Sequence, residues 1–68
     1  MNKIASRLKY LRELKGMSQN DLAKALNVTQ STIAKWETGA REPNADNIIK
    51  IAKIFNETTD FLLGANDY

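Results

Sequence analysis

Cysteine and histidine are both missing from this chain of 68 residues. Their absence excludes disulfides, thiolate zinc sites and any mechanism built on an imidazole. Proline occurs once and glycine three times, and there is no Pro/Gly/Ser linker, low-complexity tract or internal repeat. No apolar run approaches the roughly 18 residues that cross a bilayer. The opening stretch MNKIASRLKY has no secretory apolar core, so a cytoplasmic protein is expected. The acids offer no chemistry either. Asp21, Glu37, Asp46 and Asp60 are scattered, two of them at helix starts, where a carboxylate favours the helix dipole. No nucleophile–base pair, glycine-rich phosphate loop or metal-ligand spacing occurs. The expectation is a protein that is not an enzyme and needs no metal, cofactor or small-molecule ligand.

What is present suits one small domain spanning residues 1–68. Hydrophobic residues make up 43% of the chain, enough for one core near the low end of what folds without a staple. The net charge is only +2, but it is unevenly placed. Residues 1–41 carry eight Lys/Arg against three acids, and residues 42–68 carry two against five. That polarity suits a molecule with one anion-facing side, although a mixed solvated surface would look the same by charge alone.

Gly16, Asn27, Gly39, Pro43, Asn56 and Gly64 cut the chain into five helical pieces, and no stretch alternates as a strand does. The first, about residues 3 to 15, brings Ile4, Leu8, Leu11 and Leu14 near one face and ends at Gly16. Ser18 caps the second, with Asp21 completing a capping-box variant; it runs from Gln19 to about Leu26 and buries Leu22, Ala23 and Leu26. Asn27 follows, a residue that tolerates the left-handed backbone of a sharp turn. Val28 fills the turn, Thr29 caps, and a third helix runs from Gln30 to about Thr38. Asn44 caps a fourth with Ile48, Ile51, Ala52 and Phe55 inward. Thr58 caps a short fifth carrying Phe61 and Leu62, closed by Gly64. The fold class is all-α.

The second and third pieces are two short helices joined by a few residues, the helix-turn-helix unit. In that unit Ala23 must be small where the helices cross, and Val28 and Ile33 must be apolar to lock the turn onto the core. Trp36, one turn beyond Ile33, is read as core rather than as a stacking platform. The opposite face of the third helix shows Gln30, Ser31, Ala34, Lys35 and Thr38. A face built for stability alone would carry salt-bridging Glu and Lys, whereas amides and cations match the base edges of a major groove. Glutamine pairs with adenine and lysine with guanine O6 and N7.

Three stretches, RLKYLRELKGMSQNDLAKAL, NVTQSTIAKWETGAREP and TTDFLLG, together resemble the lambdoid repressor/Cro-type (Xre) helix-turn-helix family. The likeness runs from about Ile4 to Gly64. It implies a five-helix, lambda-repressor-like DNA-binding domain of a transcriptional regulator, a repressor of phage or mobile-element type, acting as a homodimer on a near-palindromic double-stranded operator with the third helix in the major groove. Matched position by position, Gln30, Ser31 and Lys35 fall where the family reads bases, and Thr29 where a thymine methyl is met. Ser18, Gln19, Thr32, Thr38 and Arg41 fall where phosphates are contacted. Arg12 and Glu37 match a pair that aims the third helix, with Arg12 also offered to a phosphate. Lys3, Lys9 and Lys15 supply general electrostatic background.

Three positions depart from the family pattern. Asn27 stands where glycine is commonest. Glu57 stands where an aliphatic residue plugs the corner between Phe55 and Phe61, so a looser corner is expected. Ala45 replaces a larger apolar residue. The dimer contact is expected around Phe55 to Thr59 and Phe61 to Tyr68. The rival from another class is an antitoxin-like or adaptor module whose helical face meets a protein, with DNA secondary.

Overall fold

The computed structural model describes residues 2–65. Five helices follow one another: α1 (Ile4–Leu14), α2 (Gln19–Leu26), α3 (Gln30–Thr38), α4 (Ala45–Phe55) and α5 (Thr59–Leu63). Among the described residues there is no strand, and no helix is long and apolar enough to cross a membrane.

Four of the five starts are fixed by one short polar side chain. Ser18 Oγ accepts from Asp21 N at 3.0 Å while Ser18 N donates back to Asp21 Oδ2 at 2.9 Å, a reciprocal capping box. Thr29, Asn44 and Thr58 accept from the backbone N–H three residues on. Each such bond satisfies a donor that the helix itself cannot use. The stops are equally local. Asn27 and Asn56 adopt φ of 58° and 54°, and the following N–H groups turn back, Val28 N to Ala23 O at 3.0 Å and Glu57 N to Ala52 O at 2.9 Å. Asparagine is one of the few residues with a Cβ that enters this region routinely.

The core gathers Ile4, Leu8 and Leu11 from α1, Leu22, Ala23 and Leu26 from α2, and Ile33 and Trp36 from α3. Ile51, Ala52 and Phe55 from α4, with Phe61 and Leu62 from α5, complete it. Val28 and Ile48 pack half-buried against its edge. Ala23 is 3% exposed, the close approach of α2 to α3 that the small side chain permits.

Two expectations need correction. Leu14 is 68% exposed, not part of the core stripe. At about 100° per residue it lies roughly a quarter-turn to one side of the mean direction of Ile4, Leu8 and Leu11, while Arg12, nearly as far to the other side, is buried through its pair with Glu37. The corner at Glu57 is not loose. Phe55 and Phe61 are 5% and 7% exposed, because Glu57 is half-buried at the rim and Arg7 covers Phe61, its guanidinium carbon 4.4 Å from the ring centroid. Arg7 Nη1 also donates to Phe61 O, tying α1 to α5.

Candidate nucleic-acid interface

Only Ile33 and Trp36 of α3 are buried. Thr32, Ala34 and Glu37 are half-buried at its edges, and the remaining face is open. Gln30, Ser31, Lys35 and Thr38 are all exposed. Ser31, Lys35 and Thr38 lie nearly opposite Ile33, whereas Gln30 lies only about 60° from it around the axis. Gln30 thus occupies the flank of α3 that meets α2.

That flank carries a chain of hydrogen bonds. Arg12 Nε donates to Glu37 Oε2 at 2.6 Å and Arg12 Nη2 to Glu37 Oε1 at 3.0 Å, a two-pronged pair. Arg12 Nη1 donates to Met17 O at 2.8 Å. Glu37 Oε1 also accepts from Gln19 Nε2 at 3.1 Å, and Gln19 Oε1 accepts from Gln30 Nε2 at 2.6 Å. The ion pair is out of water, with Arg12 and Glu37 side chains 11% and 3% exposed. The hydrogen bond to Glu37 raises the Arg12 pKa further, against the lowering effect of burial. Every buried side-chain nitrogen or oxygen among the described residues has a partner, which is the condition under which a buried polar network stiffens a structure rather than weakening it.

Arg12 and Glu37 are paired as the sequence suggests. Gln19, expected at a phosphate, has both ends of its amide engaged, one on the ion pair and one on Gln30. This bridging role escapes a reading of the sequence, since a glutamine opening a helix looks like any solvated residue. Thr29 is exposed, with its hydroxyl against Thr32 N at 3.1 Å and Thr32 Oγ1 at 2.8 Å. Ser18 is likewise exposed, with its hydroxyl in the α2 cap.

The other end of α3 is held by its own carbonyls. Lys35 O accepts from Arg41 N at 3.2 Å and from Thr38 Oγ1 at 3.2 Å. This folds the 39–43 loop back beside α3. Thr32, Lys35 and Trp36 of α3 and Arg41 and Glu42 of the loop, with Asn44 and Asn47 beyond, line one open polar cleft. Lys35 and Arg41 make it the cationic margin of the α3 face.

Residues 8–62 match a family model described as helix-turn-helix. Over 64 residues the chain is 31% identical to the HTH-type transcriptional regulator ImmR of Bacillus subtilis (strain 168), covering 94% of this chain and 50% of that protein. The P22 c2 repressor protein in complex with a synthetic operator matches the fold with a TM-score of 0.87 at 26% identity, over 97% of this chain and 100% of that one. SinR of Bacillus subtilis, solved in complex with DNA, matches with a TM-score of 0.80 at 26% identity, over 88% of this chain and 97% of that one. The chain spans about half the length, or less, of the first curated relatives it matches. With five helices around one core and an outward polar face on α3, this chain belongs to the Xre-type helix-turn-helix family.

Proposed function

We propose that this chain is the DNA-binding unit of a transcriptional regulator that recognises a specific double-stranded sequence, acting as a repressor by occluding a promoter. The observation that carries this is the exposed face of α3, polar and cationic, with Gln30 locked through Gln19 to a buried ion pair. A side chain fixed before binding loses little entropy on contact, and specificity in a groove depends on such placement. The solved neighbours that hold DNA or an operator support the same reading.

In this docking α3 enters the major groove. Ser31 and Lys35 face base edges, Gln30 reads from the α2 flank and the Thr29 methyl meets a thymine. Ser18, Gln19, Thr32, Thr38 and Arg41 lie along the phosphates on either side. Arg12, with three donors already engaged, contributes chiefly through Glu37. A homodimer places two α3 helices about 34 Å apart in successive grooves. Phe55, Phe61 and Leu62 are core residues, so a dimer contact near α5 uses the exposed Asn56, Thr58 and Asp60; residues 66–68 of the expected contact lie outside the described residues.

Selection of preferred duplexes from a random pool tests the reading, and a two-fold repeated half-site is the expected product. On the selected site, Gln30→Ala and Lys35→Ala should each cost about 1–3 kcal/mol and relax one base position. Arg41→Ala should weaken all sequences alike. Affinity that ignores salt concentration would refute the DNA reading and favour a protein partner.

A further inference from the structure

The cationic cleft beside α3 contains one acid. Glu42 lines it together with Lys35 and Arg41, and a carboxylate there would be attracted to either cation and would repel a phosphate entering the same space. Among the described residues neither pairing is made. Glu42 Oε1 instead accepts from Asn2 Nδ2 at 3.2 Å, across 40 residues of chain. Asn2 is itself pinned, because its Oδ1 accepts from Ile4 N at 3.0 Å at the start of α1. One amide thus caps α1 with its oxygen and holds the Glu42 carboxylate with its nitrogen.

We infer that Asn2 is a positioning residue for DNA docking: by tethering Glu42 to the start of α1 it keeps Lys35 and Arg41 open to a backbone phosphate. Asn2 touches no nucleic acid in this role; it acts through Glu42. The inference rests on the docking proposed above.

The test separates tethering from capping. Asn2→Ser keeps a side-chain oxygen for Ile4 N but is too short to reach Glu42, and it changes no charge. Binding to a mixed-sequence duplex should weaken about threefold at low salt, with the thermal midpoint unchanged. Glu42→Gln should bind about threefold tighter than wild type, since it removes an anion from the cleft. In the Glu42→Gln background, Asn2→Ser should have no further effect on affinity. A loss that persists in that background, or no loss in the single variant, overturns the inference. Arg41→Ala, measured alongside, keeps the two readings apart. If it binds as tightly as wild type, no phosphate enters the cleft and the docking fails together with the tether. If it weakens binding while Asn2→Ser does not, the tether alone fails.

Discussion

Glu37→Gln is the sharpest perturbation the fold offers, because it removes one charge from a pair shielded from solvent. The partners are 11% and 3% exposed in their side chains, so salt and water screen them little. Taking one member from a buried pair leaves the other uncompensated and costs about 3–5 kcal/mol. Glutamine keeps one acceptor for Arg12, which puts the expected loss near the lower end, about 3 kcal/mol. A domain of this size is stable by roughly 3–10 kcal/mol altogether, so the change consumes a third or more. In a chain this short it lowers the thermal midpoint by about 12–24 °C. Urea denaturation followed by far-UV circular dichroism measures the loss directly.

The double change Arg12→Met with Glu37→Met gives the converse. It replaces the ion pair with apolar bulk, which is often neutral or stabilising, and so should recover most of the stability. It should not recover site-specific DNA binding, because Gln19 then has no fixed acceptor and Gln30 no fixed partner. If Glu37→Gln costs less than about 1 kcal/mol, the pair behaves as a surface contact and the aiming role assigned to it is wrong. That role fails equally if the double variant discriminates its target as well as wild type.

Three further outcomes can be measured in the same stability assay. Asn27→Ala should cost about 1–2 kcal/mol, because alanine has no ready access to the left-handed backbone at φ of 58°, while Asn27→Gly should be nearly neutral. Ile33→Ala should cost about 2–5 kcal/mol, since Ile33 is fully buried and fixes α3 to the core. Asp21 has its pKa lowered by the hydrogen bonds from Ser18, backbone first and side chain second. A depressed folded pKa stabilises above the unfolded carboxylate range, and that contribution is lost as pH falls through the folded value. The stability gap between wild type and Asp21→Asn should therefore narrow on acidification; a gap that widens would refute the sign.

The helix boundaries are legible in the sequence because each depends on one residue acting over three or four positions. Ser18, Thr29, Asn44 and Thr58 declare starts, and Asn27 and Gly39 declare stops, without reference to the rest of the chain. The buried stripe is legible to the extent that burial follows angle around an axis. Angle alone does not separate Leu14 from Arg12, which flank the stripe on opposite sides at similar angles; Arg12 is the one drawn inward, by Glu37 25 residues away, and Leu14 stays exposed. The Glu57 corner fails for a related reason: Arg7 reaches across from α1 to cover Phe61. The lateral polar contacts are not legible from spacing at all. Gln19 of α2 meets Gln30 and Glu37 of α3, and Asn2 meets Glu42 with both outside any helix, so the periodicity of a single element links none of these pairs.

In the proposed docking, the target of α3 depends on the same split between apolar and polar contacts. Its grip on the core comes from Ile33 and Trp36, and apolar burial is non-directional. Two neighbouring anchors fix where the helix lies but leave its roll and tilt loosely determined. Hydrogen bonds weaken steeply away from linearity, and α3 has them at both ends: Gln30 to Gln19 at the first turn, and Lys35 O to Arg41 N at the last. In the proposed docking the orientation of the α3 face is therefore set by polar side chains at its margins, and its stability by apolar ones beneath it. Substitutions that preserve the core volume should leave both fold and target intact. Substitutions at Gln19 should leave the fold intact and still change which bases Gln30 accepts. If Gln19→Ala selects the same duplex as wild type from a random pool, the aim of α3 resides in the core after all.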